Sequence, residues 1–131
     1  MNDHQTALGN HLDTELASIQ IFEDFQDCPE VLDEVDALFR DTYLQDVQSI
    51  ASAITTRDSS SLAFRAHKIK GSVMCFHHER AARAAALLEQ MALDGDLEGS
   101  QDLVEVLNLA FGEVCLSMNR AHSMFINSVA Q

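Results

Sequence analysis

A histidine, two lysines and a glycine stand together in Ala66-His67-Lys68-Ile69-Lys70-Gly71. Residues three and four apart share one face of a helix, so His67, Lys70 and Gly71 form one local site. Neutral imidazole is a nucleophile near physiological pH. On an exposed surface it can accept a phosphoryl group and still be reached for onward transfer. Lys70 can neutralise part of the phosphoryl charge by a charge-assisted hydrogen bond; read alone, it is equally a plain surface lysine. Gly71 demands a reason, because glycine inside a helix costs about 1 kcal/mol relative to alanine. Either another helix packs closely on it, or the missing side chain lets a partner's loop approach His67.

The chain carries no paired carboxylates, P-loop or kinase nucleotide motif, so a phosphate donor would have to come with a partner. Each helical residue advances by about 100°. Leu62, Ala66, Ile69, Val73 and Phe76 then share a sector of roughly 80°, the core stripe of one helix. His67 falls about 140° from the centre of that stripe and faces solvent. Phe64, Gly71 and Met74 lie on the same outer face, with Lys70 toward one flank. Phe64 and Met74 each read alone as stray surface apolars. Around a titratable group, together with Gly71, they read as a docking surface.

The helix bearing His67 is third of five. Residues 1–11 are polar and read as frayed. Leu12 to Phe25 follows as a first helix, with Leu12, Leu16, Ile19, Ile21 and Phe22 as its apolar residues. After the break at Asp27-Cys28-Pro29, a long helix runs to about Thr56. Leu32, Val35, Phe39, Val47, Ile50 and Ile54 form its inner face, with Leu38, Tyr43 and Ala51 flanking it. Pro29 suits a first helical turn. Arg57-Asp58-Ser59-Ser60 has the polar character of a helix start, which places the third helix from near Ser60 to Phe76. His77-His78-Glu79 is a tight connection. An alanine-rich fourth helix reaches Leu93 with Leu87, Leu88 and Met91 on its apolar side. The loop 94–100 precedes a last helix from Gln101 to Asn127, carrying Leu103, Val106, Leu107, Ala110, Val114, Met118 and Phe125. Amphipathic helices with short connections predict an all-α protein: an antiparallel four-helix bundle with an additional N-terminal helix. Residues 1–28 form the extension and 29–128 the bundle.

Composition narrows the function classes. The 131 residues fit one domain, 47% are hydrophobic, and Pro occurs once. This favours an ordered helical chain. A formal net charge of −13 excludes a nonspecific phosphate-backbone binder, and one Tyr with no Trp leaves few stacking platforms. The charge is nevertheless uneven. Arg65, Lys68, Lys70, Arg80 and Arg83 cluster between positions 65 and 83, opposed there only by Glu79. Read from charge alone, the cluster is either a solvated face or part of a partner surface. Cys28, Cys75 and Cys115 are widely spaced and make neither a disulfide framework nor a zinc site. The start of the chain lacks signal-peptide character, and no stretch approaches the roughly 20 apolar residues of a membrane helix. A cytoplasmic location is expected.

Ala66-His67-Lys68-Ile69-Lys70-Gly71-Ser72 resembles the signature Ala-His-x-Leu-Lys-Gly-Ser of histidine-containing phosphotransfer domains. The resemblance extends through Val31–Phe39 and Arg57-Asp58, then through Glu79–Arg83 and Leu87-Leu88-Glu89, and covers roughly residues 29–128. It implies a four-helix phosphocarrier, with no nucleotide site of its own, that shuttles phosphate between receiver-domain aspartates in multistep two-component signalling. His67 would be phosphorylated, at Nε2 in the family, with Lys70 and Gly71 in supporting positions. Phe64, Lys68 and Met74 would meet the partner. No cofactor is implied on this chain; the receiver supplies Asp and Mg²⁺. Response-regulator receivers and a hybrid histidine kinase are the implied partners of a monomeric carrier, with neither nucleic acid nor membrane.

The family commonly has Asn-Leu-Gly where this chain has Cys75-Phe76-His77. Loss of the turn glycine is expected to alter the connection but not the acceptor. His77-His78 invites a metal reading, but neighbouring helical residues point in different directions and no ligand set accompanies them. A helical adaptor that binds a receiver or kinase without carrying phosphate is the alternative to the carrier, and a His-based metal or haem bundle is a more distant one.

Overall fold

The computed structural model describes the backbone of residues 3–130 and the side chains of residues 13–128. Five helices account for nearly all of it: α1 (Asp3–Asp24), α2 (Pro29–Thr55), α3 (Ser59–Cys75), α4 (Glu79–Asp94) and α5 (Ser100–Ala130). There is no strand among the described residues.

The ends of α3 are set by local chemistry. Its N-cap, Asp58, accepts a hydrogen bond from the Ser61 amide at 3.1 Å, satisfying a donor that the first turn leaves unpaired. Immediately before it, Arg57 sits at φ +55°. The Arg57 amide donates to the Ile54 carbonyl, and the Asp58 amide to the Ala53 carbonyl. This pair of bonds closes α2 as a Schellman turn. The same turn closes α3: His77 is at φ +58°, its amide reaches Met74, and the His78 amide reaches Val73. His77 thus holds the left-handed position of this turn, a setting histidine tolerates better than bulky or β-branched residues do. His78 then caps α4, its Nδ1 accepting from the Ala81 amide at 3.1 Å.

α2 lies against both α3 and α5, α4 against α3 and α5, and α1 against α5. Along α2 and α5 the partners run in opposite order: Asp36 meets His122, Arg40 meets Asn119, and Tyr43 donates to the Leu107 carbonyl at 2.7 Å. Along α1 and α5 they run in the same order, from Thr14–Ser117 through Glu15–Arg120 to Phe22–Phe125. Aromatic packing joins α2, α3 and α5 at one place. The Phe39 ring lies 4.7 Å from Tyr43, 5.3 Å from Phe76 and 5.8 Å from Phe111, centroid to centroid.

The expected α3 stripe of Leu62, Ala66, Ile69, Val73 and Phe76 is fully buried. Other faces differ from expectation. α1 starts at Asp3, not near Leu12, and takes in residues 3–11, which had read as frayed. The Leu12 side chain and Met1-Asn2 lie outside the described residues. α1 packs through Thr14, Ala17, Ser18 and Ile21, whereas Leu16 and Ile19 are exposed. Small residues on the inner face favour close helix approach, and the buried Ser18 hydroxyl is satisfied by the Glu15 carbonyl. α4 packs through Ala81, Ala84, Ala85, Leu88 and Ala92, which leaves Leu87 outside. On α2, Tyr43 is central rather than flanking, and Leu38 is exposed.

Candidate functional site

His67 projects from the middle of α3, on the side away from the core, with its side chain 69% exposed. Phe64 and Met74, one turn before it and two turns after it, are 68% and 59% exposed. The apolar rim expected around the imidazole is therefore present. Gly71 is on this face and exposed, and a Cβ built there meets nothing within 4 Å. Among the described residues nothing packs closely on Gly71, which argues against the first of the two reasons for a glycine.

The decisive neighbour comes from α4. Glu89 presents one carboxylate oxygen to each of two α3 groups: Oε2 is 3.0 Å from His67 Nδ1, and Oε1 is 2.9 Å from Lys70 Nζ. The Lys70 hydrogen bond, followed by the charges of Lys70 and His67 and the His67 hydrogen bond, holds the Glu89 carboxyl below the usual carboxylate range; partial burial opposes this. A carboxylate only accepts hydrogen bonds, so Nδ1 of His67 carries the proton in this contact. In the neutral ring Nε2 is then left with its lone pair, on the exposed imidazole.

Lys68 is drawn the other way, toward α2, with its Nζ 3.4 Å from Asp46. It borders the His67 face and does not join the Glu89 cluster. Beyond Met74 the face continues into a crevice of about 420 Å³, lined by Gln20 of α1 with Met74, His77, Ala82 and Arg83. The two adjacent histidines are separately engaged. His77 Nε2 is 2.6 Å from Asp24 Oδ2, and His78 Nε2 is 3.0 Å from Glu113 Oε1. No group of three or more His, Cys, Asp or Glu able to hold a metal ion occurs among the described residues.

Residues 25–117 match the sequence profile of the Hpt domain. The chain belongs to the Hpt domain family. Searches of curated proteins and of solved structures gave no match. Membership implies histidine phosphotransfer in a two-component phosphorelay, performed by a phosphocarrier module that interacts with receiver domains and kinases. The Hpt match spans α2, α3 and α4 entirely, together with the first part of α5. No helix among the described residues is long and apolar enough to cross a membrane.

Sequence reasoning did not single out Glu89, which the structure places against His67 and Lys70. It had entered only as part of the resemblance in Leu87-Leu88-Glu89. A usable signal was the basic cluster at 65–83: an acceptor on the next helix, one position past the core residue Leu88, is suitably placed to answer it.

Proposed function

We propose that this Hpt domain relays a phosphoryl group between receiver-domain aspartates of a multistep two-component phosphorelay, through His67. The observation that carries the reading is the orientation of the ring. Glu89 takes Nδ1–H, and the bare Nε2 is left on an exposed, apolar-rimmed face. Nε2 attacks the phosphorus of an aspartyl phosphate, the P–O bond breaks, and the electron pair leaves on the aspartate. Donation to a second receiver reverses these steps. Lys70 lies beside the ring and neutralises charge on the transferring group, and Gly71 leaves room for the receiver's loop. Phe64 and Met74 are the apolar anchors of the docked receiver, with Lys68 at its margin.

The architecture that serves this role is an antiparallel four-helix bundle, α2 to α5, within residues 29–128. Residues 1–28 are an N-terminal extension whose helix lies along α5. Mg²⁺ belongs to the receiver. Near His67 the nearest carboxylate is Glu89, and both its oxygens are already engaged, which is no ligand set for a hard cation. The chain acts as a monomeric cytoplasmic phosphocarrier rather than an enzyme. A hybrid histidine kinase stands upstream, and neither nucleic acid nor membrane takes part.

The test is transfer of label from a phosphorylated receiver domain. The wild type takes up an acid-labile, base-stable label, and His67→Gln, folded, does not. Undiminished labelling of His67→Gln overturns the assignment. Receiver binding with no phosphohistidine in the wild type would instead make the protein an adaptor.

A further inference from the structure

Glu89 does more than orient a ring. We infer that it keeps one proton on Nδ1 of His67 through both halves of the transfer cycle, so that phosphate enters and leaves without a proton having to move. The inference rests on the carrier reading above and extends it to the chemistry of the phosphorylated state.

When Nε2 attacks phosphorus, its lone pair becomes the N–P bond and the donor's bond to phosphorus breaks toward the leaving group. The ring, already protonated at Nδ1, becomes an imidazolium. Two outcomes follow. If the Nδ1 proton is lost to water, the phosphorylated ring is neutral and its nitrogen is a poor leaving group. It must be reprotonated before the N–P bond can break. If Glu89 holds the proton, the ring stays cationic. Cleavage then returns the electron pair to Nε2 and regenerates neutral imidazole, with the same proton still on Nδ1.

The geometry favours the second course. Oε2 is at hydrogen-bond distance from Nδ1, and an ionised acceptor makes the stronger hydrogen bond to a cationic donor. The Lys70 bond to Oε1 helps keep Glu89 ionised. Few other charges face the ring. Lys70 comes from its own helix and Glu89 from α4, while Lys68 is turned to Asp46 of α2. Among the described residues, no group of α1, α2 or α5 forms an ion pair or hydrogen bond with His67. Glu89 is thus a positioning residue that acts through His67.

The test uses the full chain, phosphorylated with phosphoramidate, whose P–N bond breaks with ammonia as the leaving group, and so needs no partner protein. Label is assigned to His67 by its loss in His67→Gln. Loss of phosphate to water is then followed as a function of pH in the wild type and in Glu89→Gln, which keeps an oxygen acceptor but not its charge. Near pH 6 the two rates are expected to agree within about twofold; near pH 8 the variant should be slower by about tenfold. The ¹⁵N resonance of Nδ1 in the phosphorylated protein should show a bound proton near pH 8 in the wild type and lose it in the variant. Superimposable pH profiles, or a pH-independent ratio of rates, would overturn the inference while leaving His67 as the carrier. Absence of label on His67 in the wild type would overturn the carrier reading and this inference together.

Discussion

Asp24 and His77 are joined at 2.6 Å across the gap between the end of α1 and the turn that follows α3. The contact fastens the N-terminal helix beside the crevice that continues the His67 face. His77 makes it while held at φ +58°, a backbone setting that favours glycine.

These two facts oppose each other in mutants of His77. His77→Gly relieves the left-handed conformation and loses the bond to Asp24, which is half-exposed and contributes little. Its urea midpoint is expected to equal or slightly exceed that of the wild type. His77→Val places a β-branched residue in the same conformation and should destabilise by about 1–2 kcal/mol. A Gly variant clearly less stable than the wild type would show that the Asp24 bond outweighs the backbone term.

Gly71→Ala separates stability from function. The added methyl meets nothing within 4 Å in this chain, and alanine is the better helix former by about 1 kcal/mol. Thermal unfolding should shift upward. If a receiver's loop occupies the space, phosphotransfer from that receiver slows markedly in the same variant. Unchanged transfer kinetics would mean that the partner does not approach there.

Phe64→Ala and Met74→Ala should behave alike. Both side chains are exposed, so each truncation changes stability by less than about 0.5 kcal/mol. At the centre of an interface the loss in binding reaches about 2 kcal/mol, measurable by calorimetric titration with the receiver. A large fall in unfolding midpoint with unchanged affinity would contradict the placement of these residues.

Acid titration offers a check on Glu89. Its folded-state carboxyl is depressed, chiefly by the Lys70 hydrogen bond. Its stabilisation is therefore fully present above the unfolded carboxyl's range, about 4.3, and is lost as pH falls through the lower, folded value. The stability advantage of wild type over Glu89→Gln, read from urea midpoints, should be present at neutral pH and vanish toward the acid end. The difference is small, because the pair is partly solvated. An advantage that persists at the lowest pH would assign it to packing instead.

Tyr43→Phe removes the buried hydrogen bond to the Leu107 carbonyl while keeping the ring stacked near Phe39 and Phe111. A loss of about 1 kcal/mol is expected in denaturant unfolding.

The face of α3 was legible in the sequence because five core residues fall in one narrow sector, and everything opposite them follows from helical geometry. His67, Phe64, Gly71 and Met74 were placed correctly for that reason. Glu89 was not, since its encounter with His67 and Lys70 depends on how α3 and α4 are set against each other, 22 and 19 residues apart in the chain. Leu87 and Leu16 misled for a related reason. Leu87 was read on the apolar side of α4 and Leu16 among the apolar residues of α1, but both helices turn their small residues inward, through Ala84 and Ala85 in one case and Ala17 and Ser18 in the other.

The two left-handed turns at Arg57 and His77 bracket the helix that carries His67. Each is stitched to the helix before it by paired amide bonds. Together they fix the rotational phase of α3 as well as its length. One residue added or removed between Asp58 and His67 would turn the imidazole by about 100° around the helix axis, out of reach of Glu89 and away from the apolar rim. That span of the chain should therefore admit substitutions far more readily than insertions or deletions.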